Sequence, residues 1–290
     1  MNPFSEQVQL YKLFEAFIQD NMNVMYEGLV INELDKTISL TDEHNKGINM
    51  TLENLPIEYK LNGIDVISIF KRTPYIRNKR HEPDGNPFIY ALKGINNWKF
   101  DMPESDVIKY MKRFLNICKK IKNRYDTIVT VPSQSWLNKR FMDVIAEQVK
   151  AKYKICDYFY KSTLEDAWNS IDGKLIRQQA IKDNRNFPEQ EARHIIDVLR
   201  DNFNDMADMN LTYFAAKYVN KKYLHCITKP ISTNTKNMAE CAEYFNDKNV
   251  LILDDILASG TTLSHCANNI LTTYSPKSVT AITLLSKKFN

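Results

Sequence analysis

The stretch Val250-Leu251-Ile252-Leu253-Asp254-Asp255-Ile256-Leu257-Ala258-Ser259-Gly260-Thr261-Thr262-Leu263 decides the fold of this chain. It opens with four aliphatic residues without polar alternation, which is typical of a strand buried on both faces of a parallel sheet. Two carboxylates follow, and the carboxyl edge of an open α/β sheet is where ligands bind. Small residues then lead into a predicted helix that begins at Thr261, whose free N–H groups attract anions. The pattern therefore predicts a strand, an acidic pair, an anion-binding loop and a helix.

A sugar phosphate suits this order of residue types, because it offers both vicinal hydroxyls and a dianion. Asp254 and Asp255 can accept hydrogen bonds from the ribose hydroxyls. Backbone N–H groups of the small-residue loop can hold the phosphate, with hydroxyls as further donors. The predicted 5′-phosphate-binding residues are Ala258, Ser259, Gly260, Thr261 and Thr262. The alternative interpretation is an ordinary buried strand, an acidic helix cap and a glycine turn.

Residues 250–263 resemble the phosphoribosyl-pyrophosphate (PRPP) motif of the type I phosphoribosyltransferases, which joins a hydrophobic strand, two acids and a small-residue Gly-Thr-Thr end. The resemblance implies Mg²⁺-dependent transfer from PRPP to a nitrogen nucleophile, with release of pyrophosphate. It also implies that Asp254 and Asp255 are the catalytic pair, which positions the ribose and contacts Mg²⁺ indirectly. The stretch differs from a Walker loop, since no Gly-Lys-Thr follows a strand in this sequence.

Composition limits the class of protein. With 290 residues, the chain is long enough for about two domains. Hydrophobic residues make up 43% and charged residues 26%, which is typical of a soluble globular protein. The five cysteines form no Cys-x-x-Cys pair, so neither a zinc site nor a disulfide framework is indicated. No apolar run reaches the length of about 20 residues that a membrane span needs. We expect a cytoplasmic protein that does not enter membranes.

Hydrophobic periodicity predicts an α/β fold with a small N-terminal α+β cap. The family resemblance implies that the core is a type I phosphoribosyltransferase-like parallel sheet flanked by helices. The cap covers residues 1–104 and the phosphoribosyltransferase-like domain covers residues 105–290. Helices are predicted at residues 4–18, 104–121, 136–151, 189–206 and 237–245. Strands are predicted at residues 28–31, 37–40, 48–52, 64–70, 125–132, 154–159, 222–228, 250–253 and 278–285.

The turn after the strand at 125–132 is where the family resemblance places the pyrophosphate loop. The implied pyrophosphate-binding residues are Ser133, Gln134, Ser135, Lys139 and Arg140. Val131-Pro132 followed by Lys139-Arg140-Phe141 is loosely similar to the ComF-like branch of the family. That branch has a glycine and an N-terminal cysteine metal site which this sequence lacks. Lys139 and Arg140 either contact pyrophosphate or lie on the surface of the following helix.

Residues 161–181 are mostly polar and lack periodicity. The family resemblance implies a mobile lid over PRPP here, with Lys161, Lys174 and Arg177 as the cations that reach the pyrophosphate. An ordinary surface loop is the alternative. Many type I phosphoribosyltransferases build the hood that recognises the base from the region after this last strand, where only five residues remain here. The resemblance therefore implies that any hood comes from residues 1–98, from residues 182–220 or from a partner.

The segment Lys71–His81 is dense in positive charge. Lys71, Arg72, Arg77, Lys79 and Arg80 could neutralise nucleic-acid phosphates, with Tyr75 stacking on a base. The segment could also be a solvated surface loop, or a loop that folds over the active site. The net charge of +4 is too small to decide among these interpretations.

Two functions follow from these patterns. The first is a phosphoribosyltransferase that uses PRPP, with Mg²⁺ as cofactor. The second is an effector or sensor that binds PRPP or a nucleotide in a nucleic-acid-linked system, of the competence or antiviral-defence kind, without salvage of free bases. A protein partner or a second copy of the chain could complete either site.

Overall fold

The computed structural model describes residues 28–41, 48–49, 57–72, 86–94, 96–103, 125–133, 142–143, 145–147, 149–234, 238–257 and 260–286. The predicted helices at 4–18 and 104–121 lie outside these residues. The strands are β1 (Gly28–Asn32), β2 (Thr37–Thr41), β3 (Ile48–Asn49), β4 (Ile57–Leu61), β5 (Ile64–Arg72), β6 (Lys99–Phe100), β7 (Thr127–Thr130), β8 (Tyr153–Ile155), β9 (Phe159–Lys161), β10 (Ile231–Thr233), β11 (Asn249–Leu257) and β12 (Ser278–Ser286). The helices are α1 (Asn86–Lys93), α2 (Leu164–Asn169), α3 (Gly173–Asp183), α4 (Pro188–Asp208), α5 (Met238–Phe245) and α6 (Thr261–Thr273).

A parallel-rich central sheet organises the molecule, in the order β3-β5-β12-β11-β7-β8, with β4 also paired to β5. The strands β5, β12, β11, β7 and β8 run parallel to one another, while β3 and β4 are antiparallel to β5. β11 lies in the middle, where Leu251 to Leu253 are fully buried. The mixed α/β fold predicted from the sequence is confirmed.

Helices cover both faces of this sheet. Leu251 and Leu253 belong to a buried cluster that includes Phe88 and Ile89 of α1 and the helical residue Ile145. α6 packs on β11 and β12 through Leu263, Cys266, Ala267 and Ile270, all of which are buried. Because successive side chains of a strand point to opposite faces, neighbouring residues of β11 face different helices.

The sheet extends across the predicted boundary between residues 104 and 105. β5, from the predicted cap, pairs in parallel with β12 and places Ser68 opposite Thr283. β4 and β5 form a hairpin through Asn62 and Gly63, whose φ angles of 49° and 88° suit a type I′ turn. The sequence analysis missed β4, although Asn-Gly between two apolar runs is a hairpin signal.

A second sheet, in the order β1-β2-β6, shares its core with the central sheet. The ring of Phe88 on α1 meets Phe100 of β6 and Phe70 of β5 edge-on, at centroid distances of 6.1 and 5.9 Å. Leu29 and Ile38 of the small sheet belong to the same buried cluster. The described part of the predicted cap therefore packs as part of the unit that holds the central sheet.

Two compact units divide the chain, Met1–Cys156 with Glu240–Asn290, and Asp157–Ala239. The predicted boundary at residue 104 does not separate them. The second unit contains β9, β10, α2, α3, α4 and two short 3₁₀ turns, Ala216–Tyr218 and Leu224–Cys226. Its own core includes Ile195, Leu199 and Phe203 of α4.

The second unit corrects two predictions. Residues 161–181 are not irregular, because Thr163 and Asp172 cap the helices α2 and α3 with side-chain oxygens. The predicted strand at 222–228 is a 3₁₀ turn over Leu224–Cys226 instead. Its buried residues, Tyr223, Leu224, Cys226 and Ile227, have the spacing of a helical turn rather than the alternation of a strand.

Candidate functional site

The acidic pair of the motif lies within β11 rather than after it. β11 continues through Asp254 and Asp255 to Leu257, so the predicted position of the carboxylates at the strand end is wrong by two residues. Each aspartate is only 9% exposed. Because side chains alternate along a strand, the two carboxylates point to opposite faces of the sheet.

Asp255 lies on the face covered by α1, where its Oδ2 atom forms an ion pair with Nζ of Lys93. The Lys93 side chain is 15% exposed and that of Asp255 is 12% exposed. Lys93 is the last residue of α1, where a cation is favoured by the negative end of the helix dipole. The structure thus adds to the site a cation that the sequence analysis did not name.

Asp254 lies on the face covered by α6. Burial raises the pKa of its carboxyl group to about 7, against the lowering effects of the Lys93 charge and of the Ile256 backbone N–H group. Its Oδ1 atom accepts a hydrogen bond of 2.8 Å from the backbone N–H group of Asp255. Burial, together with the Asp254 charge, raises the pKa of the nearby Cys266 thiol well above its usual value. Burial on this side of the pair therefore disfavours the charged form of the carboxyl group.

A buried polar row runs across three strands at the level of Asp254. Thr283 of β12 lies opposite Asp254, and Ser68 of β5 lies opposite Thr283. The Ser68 and Thr283 hydroxyl groups hydrogen-bond to each other, and both residues are fully buried. On the face of Asp254, the neighbouring polar groups in this row are hydroxyl groups. On the face of Asp255, the neighbouring polar group is the Lys93 ammonium group.

Gly260 turns the chain from the motif loop into α6. Its φ angle of 78° lies in the left-handed region that favours glycine. An added Cβ atom would lie 2.7 Å from Cδ2 of Leu61, so space as well as backbone conformation calls for glycine here. The Gly260 carbonyl group accepts a hydrogen bond from the Ser264 N–H group, which closes the first turn of α6. Thr261 and Thr262 form that turn, while Ala258 and Ser259 lie outside the described residues.

The predicted pyrophosphate turn approaches the same edge of the sheet. Thr130, the last residue of β7, lies opposite Leu253, and the Val131 N–H group donates to the Leu253 carbonyl oxygen at 3.0 Å. Ser133 follows two residues later and is exposed. The chain therefore brings Ser133 to the edge that carries the acidic pair, whereas Gln134, Ser135, Lys139 and Arg140 lie outside the described residues.

The predicted lid residues all belong to the second unit. Lys161 ends β9 opposite Ile231, and Lys174 and Arg177 lie on α3. An exposed ion pair of 3.4 Å joins Arg177 to Glu189. Their contact with pyrophosphate stays a prediction.

The predicted nucleic-acid residues are only partly described. Lys71 lies near the end of β5 opposite Ser286 and Asn49, and Arg72 ends the strand opposite Ile48. Arg77, Lys79 and Arg80 lie outside the described residues. Their binding to nucleic acid stays a prediction.

A comparison with known protein families finds a match that includes the motif at residues 250–263. Residues 192–288 match the family model of the phosphoribosyl transferase domain. The match confirms the resemblance of this region to type I phosphoribosyltransferases, and it includes β11, α6 and β12. It spans a third of the chain and indicates phosphoribosyl transfer in general. No curated protein and no solved structure matches the chain.

Two further observations concern the described residues alone. None of their histidine, cysteine, aspartate and glutamate side chains group in threes as a metal-ion cage. None of their helices combines the length and apolar composition that crossing a bilayer requires.

Proposed function

We propose that this protein transfers a phosphoribosyl group from PRPP to a nitrogen nucleophile and releases pyrophosphate. The observation that carries the proposal is the unit β11–Gly260–α6, inside the region that matches the phosphoribosyl transferase domain. That unit joins two carboxylates to a helix N-terminus through a left-handed glycine. Carboxylates suit ribose hydroxyls, and a helix N-terminus suits a phosphate.

The 5′-phosphate would lie at the start of α6. Gly260 lacks a side chain, so it supplies no cap to the first N–H groups of the helix. Those N–H groups and the helix dipole both favour a dianion at this position. The Thr261 and Thr262 hydroxyl groups can add hydrogen bonds.

The transfer itself needs little covalent work from the protein. As the bond between the anomeric carbon and pyrophosphate breaks, positive charge grows on the ribose and negative charge grows on the leaving group. Asp255, which is held as an ion pair, can orient the ribose hydroxyls on its face of the sheet. Lys139 and Arg140, the cations that the sequence predicts to bind pyrophosphate, would stabilise the leaving group, because groups aimed at developing charge lower the barrier.

Mg²⁺ fits this proposal as an ion that arrives with PRPP. Magnesium in proteins prefers oxygen ligands, retains several waters and is often held by one or two carboxylates together with substrate phosphates. Asp254 and Asp255 point to opposite faces of β11, so we propose that one carboxylate at a time would make such an indirect contact. When bound, the ion would neutralise charge on the pyrophosphate as it leaves.

Pyrophosphate release is the direct test. The protein is incubated with PRPP, Mg²⁺ and a panel of bases, nucleotides and RNA, and pyrophosphate is measured. We expect acceptor-dependent release, which Gly260→Val abolishes because the added side chain crowds both Leu61 and the phosphate loop. Absence of release with every acceptor, in a protein that also fails to bind ribose 5-phosphate, would contradict the proposal.

A second candidate is a sensor that binds PRPP or a nucleotide without transferring the sugar. The observation in its favour is the Lys93–Asp255 pair, since a cation beside the ribose opposes the positive charge that grows there during transfer. The two candidates differ in one result. A sensor binds ribose 5-phosphate saturably and releases no pyrophosphate with any acceptor.

Nucleic acid is a proposed partner through the basic segment. Lys71 and Arg72 end β5 at the carboxyl edge of the sheet, and the remaining cations follow them in the chain. Phosphate contacts act through counterion release, so the variant Arg77→Glu/Arg80→Glu should bind weakly and show a flatter salt dependence. Filter binding at a series of salt concentrations tests this, and no retention of nucleic acid by either protein at low salt removes the proposal.

A further inference from the structure

A cavity of about 290 Å³ lies between α6 and the turn that joins β4 to β5. Its lining combines neutral polar side chains, those of Asn62, Ser264, His265 and Asn268, with apolar ones, those of Leu61, Ala267 and Leu271. Small-molecule sites in proteins have volumes of about 300 to 1,000 Å³. The cavity lies at the lower end of this range, so it suits a single heterocycle rather than a whole nucleotide.

The cavity borders the phosphate loop without sharing its donors. The Ser264 N–H group donates to the Gly260 carbonyl oxygen at 2.8 Å, and α6 continues to Thr273. Because only the N–H groups of the first turn of a helix are free, the cavity presents side chains and not the anion-binding backbone. Leu61 is the boundary, since it lines the cavity and its Cδ2 atom lies 2.7 Å from the position of a Cβ atom at residue 260. The cavity is therefore separate from the proposed 5′-phosphate site.

The four polar side chains of the lining lack partners within the described part of the chain. No described residue forms a hydrogen bond with any of them. His265 is half-buried, and burial lowers the pKa of its imidazole group, so the ring is neutral at pH 7 with one N–H donor and one acceptor nitrogen. A polar group that leaves water without a partner costs free energy. A ligand that hydrogen-bonds to these side chains would offset that cost.

The rest of the lining disfavours a charged ligand. None of the lining residues, all of which are described, is Lys, Arg, Asp or Glu, so a charged group would find no counter-ion there. Leu61 and Ala267 are buried, and Leu271 stays 45% exposed although it is apolar. Apolar side chains suit the faces of a planar ring, while the amides, the imidazole and the hydroxyl group suit its polar edge. A neutral heterocycle with donors and acceptors matches both parts of the lining.

We propose that this cavity is a second binding site, for a free nucleobase of the adenine type. One edge of adenine carries an amino donor beside a ring-nitrogen acceptor, and an asparagine amide can pair with both at once. Asn62 and Asn268 each supply such an amide, and His265 supplies a further donor or acceptor. The faces of the ring would pack on Leu61 and Leu271, as bases in protein pockets pack between apolar side chains. The site would bind the base whether or not the chain transfers a phosphoribosyl group.

Calorimetric titration of adenine into the full chain tests the site. We expect saturable binding of one adenine per chain, and a Kd that saturating ribose 5-phosphate leaves unchanged because the two ligands occupy different sites. Asn268→Ala should raise the Kd about tenfold, since it removes a bidentate partner of the base. Asn268 is exposed on a helix, where alanine is favourable, so the fold is kept. Asn204→Ala, at an exposed asparagine of α4 outside the lining, is the control, with an unchanged Kd expected.

Purine, which lacks the 6-amino donor of adenine, is the matched ligand. We expect it to bind about tenfold more weakly, because one polar group of the site is then left without its partner. Equal binding of purine and adenine, or of adenine by Asn268→Ala and wild type, would show that the polar side chains do not select the base. Either result overturns the inference.

Failure of this inference and failure of the proposed function give different results. If wild type does not bind adenine, or if ribose 5-phosphate displaces it, the cavity is not a separate base site. If adenine binds and ribose 5-phosphate does not, the proposed function is overturned, and this inference stands on the adenine results. Asn62→Gly replaces Asn268→Ala if that variant does not fold, because glycine accepts the φ angle of 49° at residue 62 and removes an amide of the lining.

Discussion

The two faces of β11 place two side chains of the same type, those of Asp254 and Asp255, in different environments. On the α1 face, Asp255 is paired with the Lys93 ammonium group. On the α6 face, Asp254 is buried among Thr283, Ser68 and Cys266, and the pKa of its carboxyl group rises to about 7. The difference shows that the alternation of a strand can place two adjacent acids of the same type in different electrostatic environments.

The largest expected effect comes from Asp255→Asn. The change removes the carboxylate that pairs with the buried Lys93 ammonium group, so we expect the free energy of unfolding to fall by about 3 kcal/mol. Urea denaturation at pH 7 measures this value. Asp65→Asn is the control, since its pair with Lys60 is exposed and should contribute less than about 0.5 kcal/mol. Equal effects of the two substitutions would show that the two ion pairs are equivalent.

The next substitution, Asp254→Asn, is expected to raise the free energy of unfolding rather than lower it. The folded-state pKa of Asp254, about 7, exceeds the ordinary value of 3.8, so the folded state retains a proton that the unfolded chain releases between these pH values. Asp254 therefore destabilises the fold progressively as the pH rises from about 4 to 7. We expect Asp254→Asn to be more stable than wild type at pH 8 and almost unchanged at pH 4.

Denaturant titrations of wild type and Asp254→Asn across this pH range measure how the free energy of unfolding of each protein changes with pH. The asparagine keeps an oxygen that can accept the Asp255 N–H hydrogen bond, so the comparison isolates the charge. If the two proteins show parallel pH profiles, Asp254 does not titrate in the folded state as the structure indicates.

A smaller loss of stability is expected when either of two glycines with positive φ, Gly260 and Gly63, is replaced by alanine. Gly260→Ala and Gly63→Ala both force an L-residue into positive φ, which costs about 1 kcal/mol. Only the Cβ atom at residue 260 also meets Leu61, whereas nothing lies within 4 Å of a Cβ atom at residue 63. We expect Gly260→Ala to lower the melting temperature more than Gly63→Ala, and the reverse order would show that Leu61 adapts without cost.

The smallest effect concerns the polar row beside Asp254. Ser68→Ala removes one partner of the buried Ser68–Thr283 hydrogen bond and should cost about 1 kcal/mol. Ser278→Ala is the control, because its hydrogen bond to Asn249 is exposed and we expect a change close to zero. Thermal unfolding followed by circular dichroism distinguishes them, and a Ser68→Ala variant as stable as wild type would mean that the row adds no stability.

Local pattern predicted the centre of the fold well. The sequence predicts β11, α4 and β12 to within a few residues of their observed bounds. In each of them, the apolar side chains that form the pattern are the ones that become buried. The family match confirms the assignment of the motif region. These are elements whose local preferences and tertiary environment agree.

The features that the sequence analysis missed depend on tertiary contacts. Nothing local to Lys93 indicates that it meets Asp255, which lies 162 positions away in the chain. The sequence analysis did not predict α1, whose first turn contains Pro87, although proline is tolerated in the first turn of a helix. β5 was assigned to a separate cap because pairing between strands of distant sequence, here β5 with β12, leaves no mark in either strand.

We propose that this chain binds ribose phosphate at the loop that joins β11 to α6. Calorimetric titration of ribose 5-phosphate into wild type, Gly260→Val and the control Gly63→Ala tests it most directly. We predict saturable binding by wild type and by Gly63→Ala, and none by Gly260→Val, because a side chain at residue 260 blocks the approach of phosphate to the loop N–H groups. Absence of binding by wild type, or normal binding by a folded Gly260→Val variant, would contradict the account.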